Sequence, residues 1–218
     1  MAAAIPYTIR RSPRARRVSV TVDPSAGVEV VLPDRARERE AAAAVRELRP
    51  WIERRLRSLA RARAELGRRE GFVPYLGEAL ALRSEPGRER VTRRGDALLV
   101  PVSDHRPALE RWYRRRARAE IEPRLREACD AAGHDLRGLS IRGQRTRWAS
   151  CSPTGAMSFN WRLLLAPAPV LEAVVWHEVC HLDVSDHSPR FWALLARRCP
   201  RYREHQRWLR RYGALLTL

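Results

Sequence analysis

Trp176-His177-Glu178-Val179-Cys180-His181-Leu182-Asp183-Val184-Ser185-Asp186-His187 is the stretch on which this 218-residue chain turns. On a helix, residues four apart share a face, so His177 and His181 aim two imidazoles at one point. Glu178 follows the first His and projects close enough to contact a water held there. His187 lies beyond the expected helix end, where a turn through Asp183 to Asp186 folds it back. Ser188 and Pro189 then open another helix as N-cap and first residue. Three neutral nitrogens with one position left open describe a catalytic zinc site, one ion per chain, whereas a structural site is closed by four protein ligands. The competing reading is two core histidines satisfied by backbone groups beside an exposed Glu. Against it, Val170, Leu171, Val174 and Val175 make the helix a buried one, and half of the six His fall within the eleven residues 177–187. A buried helix with two His and a Glu on one side needs a partner for them, and a metal supplies one. The chemistry that follows is hydrolysis: zinc acidifies water, Glu178 takes the proton, and the leaving group receives it back. Three imidazoles accept several first-row metals besides zinc.

Working outward, the chain carries 43 basic residues, all of them Arg, against 25 acidic ones, a formal net charge of +18. The codon bias of a GC-rich genome accounts for Arg in place of Lys. It does not account for the excess over acid, which attracts polyanions such as nucleic acid or nucleotides. The charge is spread along the chain, with no basic tail. At 44% hydrophobic residues the chain is long enough to bury a core and is not compositionally disordered. The longest apolar run, Leu163 to Trp176, is too short to cross a bilayer and is interrupted by Glu172, so no membrane partner is expected. Met1 to Ile5 lacks the features of an export signal, and Cys129, Cys151, Cys180 and Cys199 show no CxxC spacing. Both point to a cytoplasmic protein with free thiols.

The fold expected is α+β: a basic N-terminal strand-and-helix portion, residues 1–105, packed on a compact metal domain, residues 106–218, with a metal-binding helix and a β-hairpin. Tyr7 to Arg11, Arg17 to Val22 and Val28 to Leu32 read as strands, with a turn from Asp23 to Gly27. From Asp34 the period becomes helical. Val45, Leu48, Ile52, Leu56 and Leu59 form one apolar stripe, and Pro50 opens the second of two helices, which Gly67 to Gly71 end. Phe72 to Val102 returns to strands, with turns at Glu85-Pro86-Gly87 and Arg94-Gly95-Asp96. A long helix follows from Pro107 to Ala132, kinked at Pro123 and capped by Gly133. Its run from Arg111 to Arg116 is either a nucleic-acid patch or a solvated Arg face over inward-packed aromatics. Leu139 to Trp161 reads as two strands around Ser152-Pro153-Thr154-Gly155. Three helices close the chain: Pro169 to Leu182, Pro189 to Arg198 and Tyr202 to Leu216.

The chain resembles the YgjP-like metallopeptidase family, bacterial zincins related to the SprT-like proteases. The resemblance is carried by Arg147-Trp148-Ala149-Ser150-Cys151-Ser152, by Asn160, by His177-Glu178-Val179-Cys180-His181 and by His187-Ser188-Pro189-Arg190-Phe191-Trp192. Ala149 departs from a family glycine and Val179 from a family leucine. Trp51-Ile52 also looks like the family's N-terminal region. Val184 occupies the position of the metzincin glycine, so that subclass is not adopted. The resemblance implies His177, His181 and His187 as metal ligands and Glu178 as the catalytic residue. It implies peptide hydrolysis, with a UTP pyrophosphatase activity also attributed to the family.

The substrate is therefore a peptide or protein, or else a nucleoside triphosphate. In zincins an edge strand near the metal helix holds an extended peptide, and the hairpin from Arg147 to Trp161 could supply it. Arg142, Arg145, Arg147 and Arg162 could equally bind phosphates. Gln144, Arg147 and Asn160 are candidates for orienting substrate, or for ordinary sheet and turn hydrogen bonds. Tyr202 and His205 share a helical face and either reach the site as donors or lie on a surface helix. Cys180 and Cys151 read as packing residues. His105 and His134 carry no spacing signal. A third possibility, a nucleic-acid-binding module with a structural metal, draws on the net charge and would bind in a salt-dependent way.

Overall fold

The computed structural model describes residues 4–67, 70–144 and 146–218, and the chain divides into two compact units, Met1–Arg68 and Arg69–Leu218. In the first, strands β1 (Tyr7–Ser12), β2 (Ser19–Asp23) and β3 (Gly27–Pro33) form a sheet in the order β1-β3-β2. The Asp23 carboxylate accepts from the backbone N–H groups of Ser25 and Ala26, and Gly27 takes the left-handed conformation that closes the turn. Helices α1 (Glu38–Glu47) and α2 (Arg49–Leu66) follow, with Pro50 in the first turn of α2. Val28, Val30 and Leu32 of β3 meet Ala41, Val45 and Ile52 in one small core.

The apolar stripe differs from expectation. Ile52 and Leu59 are buried, but Leu48 and Leu56 are each 37% exposed. Leu48 leaves helical geometry to serve both as the last cap of α1 and the first of α2, so the two helices do not share one phase. Of the expected stop from 67 to 71, Gly67 caps α2, while residues 68 and 69 lie outside those described.

The second unit begins with strands β4 (Phe72–Tyr75), β5 (Glu78–Glu85), β6 (Thr92–Arg94) and β7 (Ala97–Pro101), ordered β4-β5-β7-β6. Val73, Tyr75, Leu80 and Leu98 share one core with Leu109, Trp112 and Tyr113 of helix α3 (His105–Ala132). Residue 105 is thus the start of a helix inside this unit, and the division between compact units falls at 68–69. Pro123 lies within α3, and Gly133 ends it with φ of 78°. The Arg111–Arg116 run resolves in favour of packing: Trp112 and Tyr113 are buried, while Arg114 and Arg116 pair with Glu110 and Glu120 one turn away.

Residues 139–160 give three strands where two were expected: β8 (Leu139–Arg142), β9 (Ala149–Cys151) and β10 (Met157–Asn160). Their order is β8-β10-β9, with β10 parallel to β8 and antiparallel to β9, which leaves β9 as an edge. A 3-10 turn, Trp161–Leu165, leads into helices α4 (Ala168–Cys180), α5 (Pro189–Arg198) and α6 (Tyr202–Tyr212). The last helix stops short of Leu216, and Gly213–Leu215 forms a further 3-10 turn. Among the described residues the architecture is mixed, six helices with three small sheets, and none of those helices is long and apolar enough to cross a membrane.

Candidate metal centre

Helix α4 is apolar on most of its circumference, and Val170, Leu171, Val175 and Val179 sink it into the main core. That burial fixes the helix about its axis and so fixes where His177 and Glu178 point. The helix ends at Cys180, leaving His181 as its C-cap, with the His181 N–H on the Glu178 carbonyl at 3.2 Å. The His181 ring turns its Nδ1 to the Val184 carbonyl at 3.0 Å, as the donor, which leaves Nε2 free for a ligand. Two residues on, the Asp186 carboxylate accepts from the Ser188 N–H at 3.1 Å and turns the chain into α5. This return brings His187 Nε2 to 3.0 Å from His177 Nε2. One nitrogen from each of His177, His181 and His187 lies within 4.8 Å of the others.

Two aromatic residues of α5 hold this arrangement. Phe191, fully buried, stacks on His181 with ring centroids 4.6 Å apart, and Trp192 stacks on His187 at 5.5 Å. Beneath them Cys180, Val184, Leu195 and Tyr202 form a second small core. The Phe-Trp pair just after Pro189 was visible in the sequence, but nothing in its spacing announced that it would brace the imidazoles. Whether a metal fits is decided by the facing nitrogens: two imidazole Nε2 atoms 3.0 Å apart need a proton or a cation between them. Burial, with His181 and His187 alongside, pushes the proton affinity of His177 down to about 4, so the ring is neutral and its lone pair available. Three imidazole nitrogens gathered this closely fit a divalent cation.

Glu178 is 5% exposed. Burial pushes its carboxyl up to about 7, partly offset by a hydrogen bond from the Cys151 backbone N–H on β9. A carboxyl poised near neutrality suits proton transfer in both directions. The Cys151 backbone role was invisible in the sequence. Its thiol, and that of Cys180, are raised by burial and serve packing, Cys180 to about 11.

A family model described as YgjP-like, metallopeptidase domain matches residues 16–212. The chain belongs to the YgjP-like metallopeptidase family. As a member it is a metal-dependent hydrolase of the peptidase class. Among solved structures it resembles the crystal structure of the metallopeptidase zymogen of Pyrococcus abyssi abylysin, at 25% identity and a TM-score of 0.37, over 41% of this chain and 91% of that one. So loose an overlap carries no argument about fold or chemistry. No curated protein matches the chain.

In this YgjP-like metallopeptidase a cavity of about 350 Å³ opens beside His177 and Glu178. Arg147, Trp148 and Ala149 form one wall, and Tyr202, His205 and Leu209 of α6 form another. Helix α6, which the sequence left between active-site donor and surface element, therefore borders the site. Of the other candidates, Arg147 is exposed at the cavity, whereas Gln144 is exposed and away from it. Asn160 is buried and its amide is used internally: Nδ2 donates to the Gln144 and Arg147 carbonyls at 2.7 and 3.2 Å, and Oδ1 accepts from the Arg162 N–H at 3.1 Å. It holds the loop that presents Arg147. Arg162 lies over the Trp161 ring and donates to the Gly143 carbonyl, Arg142 is exposed at the end of β8, and Arg145 lies outside the described residues. His134 pairs with Asp183 at 2.9 Å, tying the end of α3 to the loop after α4.

Proposed function

We propose that this chain is a zinc-dependent peptidase of zincin type, acting in the cytoplasm, with Glu178 as general base and all the groups the chemistry uses within residues 106–218. The observation that carries it is a buried carboxyl, Glu178, beside a three-His cluster and opening on a cavity. His177, His181 and His187 would hold the ion through their Nε2 atoms, with the His181 tautomer set by the Val184 carbonyl. A zinc ion held by these three residues would supply Lewis acidity for a carbonyl and for water. Glu178 accepts the proton of the attacking water and passes it to the leaving nitrogen, while the Cys151 N–H keeps the carboxylate aimed. β9 is an edge strand among the described residues, the place where an extended peptide would add alongside Ala149. Free thiols at all four cysteines agree with a reducing compartment.

The test is metal analysis of the purified chain with hydrolysis of casein and of UTP, beside Glu178→Gln. The expected result is about one zinc per chain in both proteins. Casein cleavage by the variant should fall about 10²- to 10⁴-fold, the usual worth of a general base. UTP turnover without casein cleavage would move the chemistry to a nucleotide substrate. Zinc binding with neither activity would remove the proposed hydrolysis.

A further inference from the structure

The cavity beside Glu178 has a composition that bears on which peptides are cut. Its body is apolar, supplied by Ala149, Val174, Leu195 and Leu209. Apart from Glu178, its ionisable lining includes two guanidinium groups from opposite walls, Arg147 before β9 and Arg210 near the end of α6. Both are exposed, and neither has an acidic partner among the described residues. That contrasts with Arg201 on the same stretch, which pairs with Glu204 at 2.7 Å.

The walls are also fixed to each other. Gly213, just past α6, has ordinary helical dihedrals, yet a Cβ there would lie 2.8 Å from Trp148 Cζ2. Trp148 is thus seated directly on the backbone at the end of α6, and the residue before it is Arg147. This contact holds the two Arg-bearing segments together independently of the histidine cluster. Asn160 anchors the same loop through the Arg147 carbonyl.

We infer that this cavity is a substrate pocket for a peptide residue with an apolar body and a carboxylate end, the carboxylate being met by Arg147 and Arg210. The inference rests on the peptidase reading above and deepens it. A hydrocarbon stem fits the lining, and two guanidinium groups without acidic partners form charge-assisted hydrogen bonds to a carboxylate. That carboxylate has two sources: an internal Glu or Asp side chain, or the free C-terminus of the chain being cut.

The experiment uses the full chain as Glu178→Gln, so that binding is read without turnover. Four fluorescent peptides of one sequence would be compared by anisotropy: Glu or Gln at one position, each with a free or an amidated C-terminus. Exposed Arg–carboxylate contacts are worth modest energies, so the preferred carboxylate peptide should bind about five- to tenfold more tightly than its neutral partner. The preference should shrink with added salt. A Glu-over-Gln difference with the amidated terminus identifies a side chain, and an acid-over-amide difference with Gln identifies the C-terminus. Adding Arg147→Gln with Arg210→Gln should reduce the ratio to within about twofold, and Arg210→Gln alone should give an intermediate ratio. Zinc content and the far-ultraviolet spectrum of each variant should match the parent's. No preference in the parent, or a preference that survives loss of both Arg residues, overturns the inference. Because binding is read on an inactive chain, failure of the active chain to cut any peptide would sink the peptidase reading separately.

Discussion

Helices α3 and α4 lie in one unit and treat their polar residues in opposite ways. On α3, Arg114, Arg124 and Arg126 each meet a Glu one turn away at 2.7–2.8 Å, while Tyr113, Ile121 and Leu125 fill the inner face. Charge is cancelled within the helix, close to solvent, and stability gains little from each pair. On α4, burial raises the Glu178 carboxyl against a single opposing hydrogen bond from the Cys151 backbone, and His177 is held neutral beside two other histidines. Nothing in folding rewards that arrangement, because an uncompensated buried ionisable group costs stability. Polar groups that satisfy each other belong to the scaffold. Polar groups that burial holds away from their ordinary protonation mark the chemistry.

The contrast can be broken most forcefully at Phe191, the buried ring that braces His181. Phe191→Ala should cost about 3–5 kcal/mol of stability by urea unfolding. Among molecules still folded, zinc affinity should also fall. Unchanged affinity would mean that the ring supports the fold without positioning the imidazole. A smaller effect is expected at Asn160, whose amide joins sheet and loop. Asn160→Ala leaves two carbonyls without their donor and should cost about 1–3 kcal/mol, together with a raised KM as the Arg147 loop loosens. A KM that stays put would separate Asn160 from substrate binding altogether.

The gentlest test falls on α3. Burial works to raise the Glu120 carboxyl, but hydrogen bonds from Tyr75 and Arg124 and the charges of Arg124 and Arg116 outweigh it and hold it below the ordinary value. A depressed carboxyl contributes stability above its unfolded pKa and loses that contribution as pH falls through the folded one. Glu120→Gln should therefore cost about 0.5–1 kcal/mol near pH 7, after allowance for solvent screening. The difference should close as the pH drops below about 4. A gap that is the same at both ends would assign the loss to packing and not to charge.

Periodicity carried most of the elements into view. The i, i+4 histidines, the Pro189 start of α5 and the Gly133 cap are each local rules, and local rules survive folding intact. Where the outcome depended on neighbours, sequence was mute. Leu48 and Leu56 matched an apolar stripe, yet the break between α1 and α2 turned them outward. Asn160 and Gln144 looked alike as polar candidates, and only the folded chain shows that one is structural and that the other is not among the cavity-lining residues. Tyr202 and His205 gave a correct shared face without saying what that face meets. Cys151 enters through its backbone, which every residue has and no pattern distinguishes.

The three histidines that converge here come from eleven consecutive residues. Bringing their nitrogens together requires closing only a short loop, and the entropy of closing such a loop is small. The unfolded chain can therefore gather the same donors, at some cost, before any sheet or helix has formed. Binding to both states cancels in the folding equilibrium. A metal held tightly by this cluster would raise the melting temperature by less than its affinity suggests, and a nascent chain could load it early.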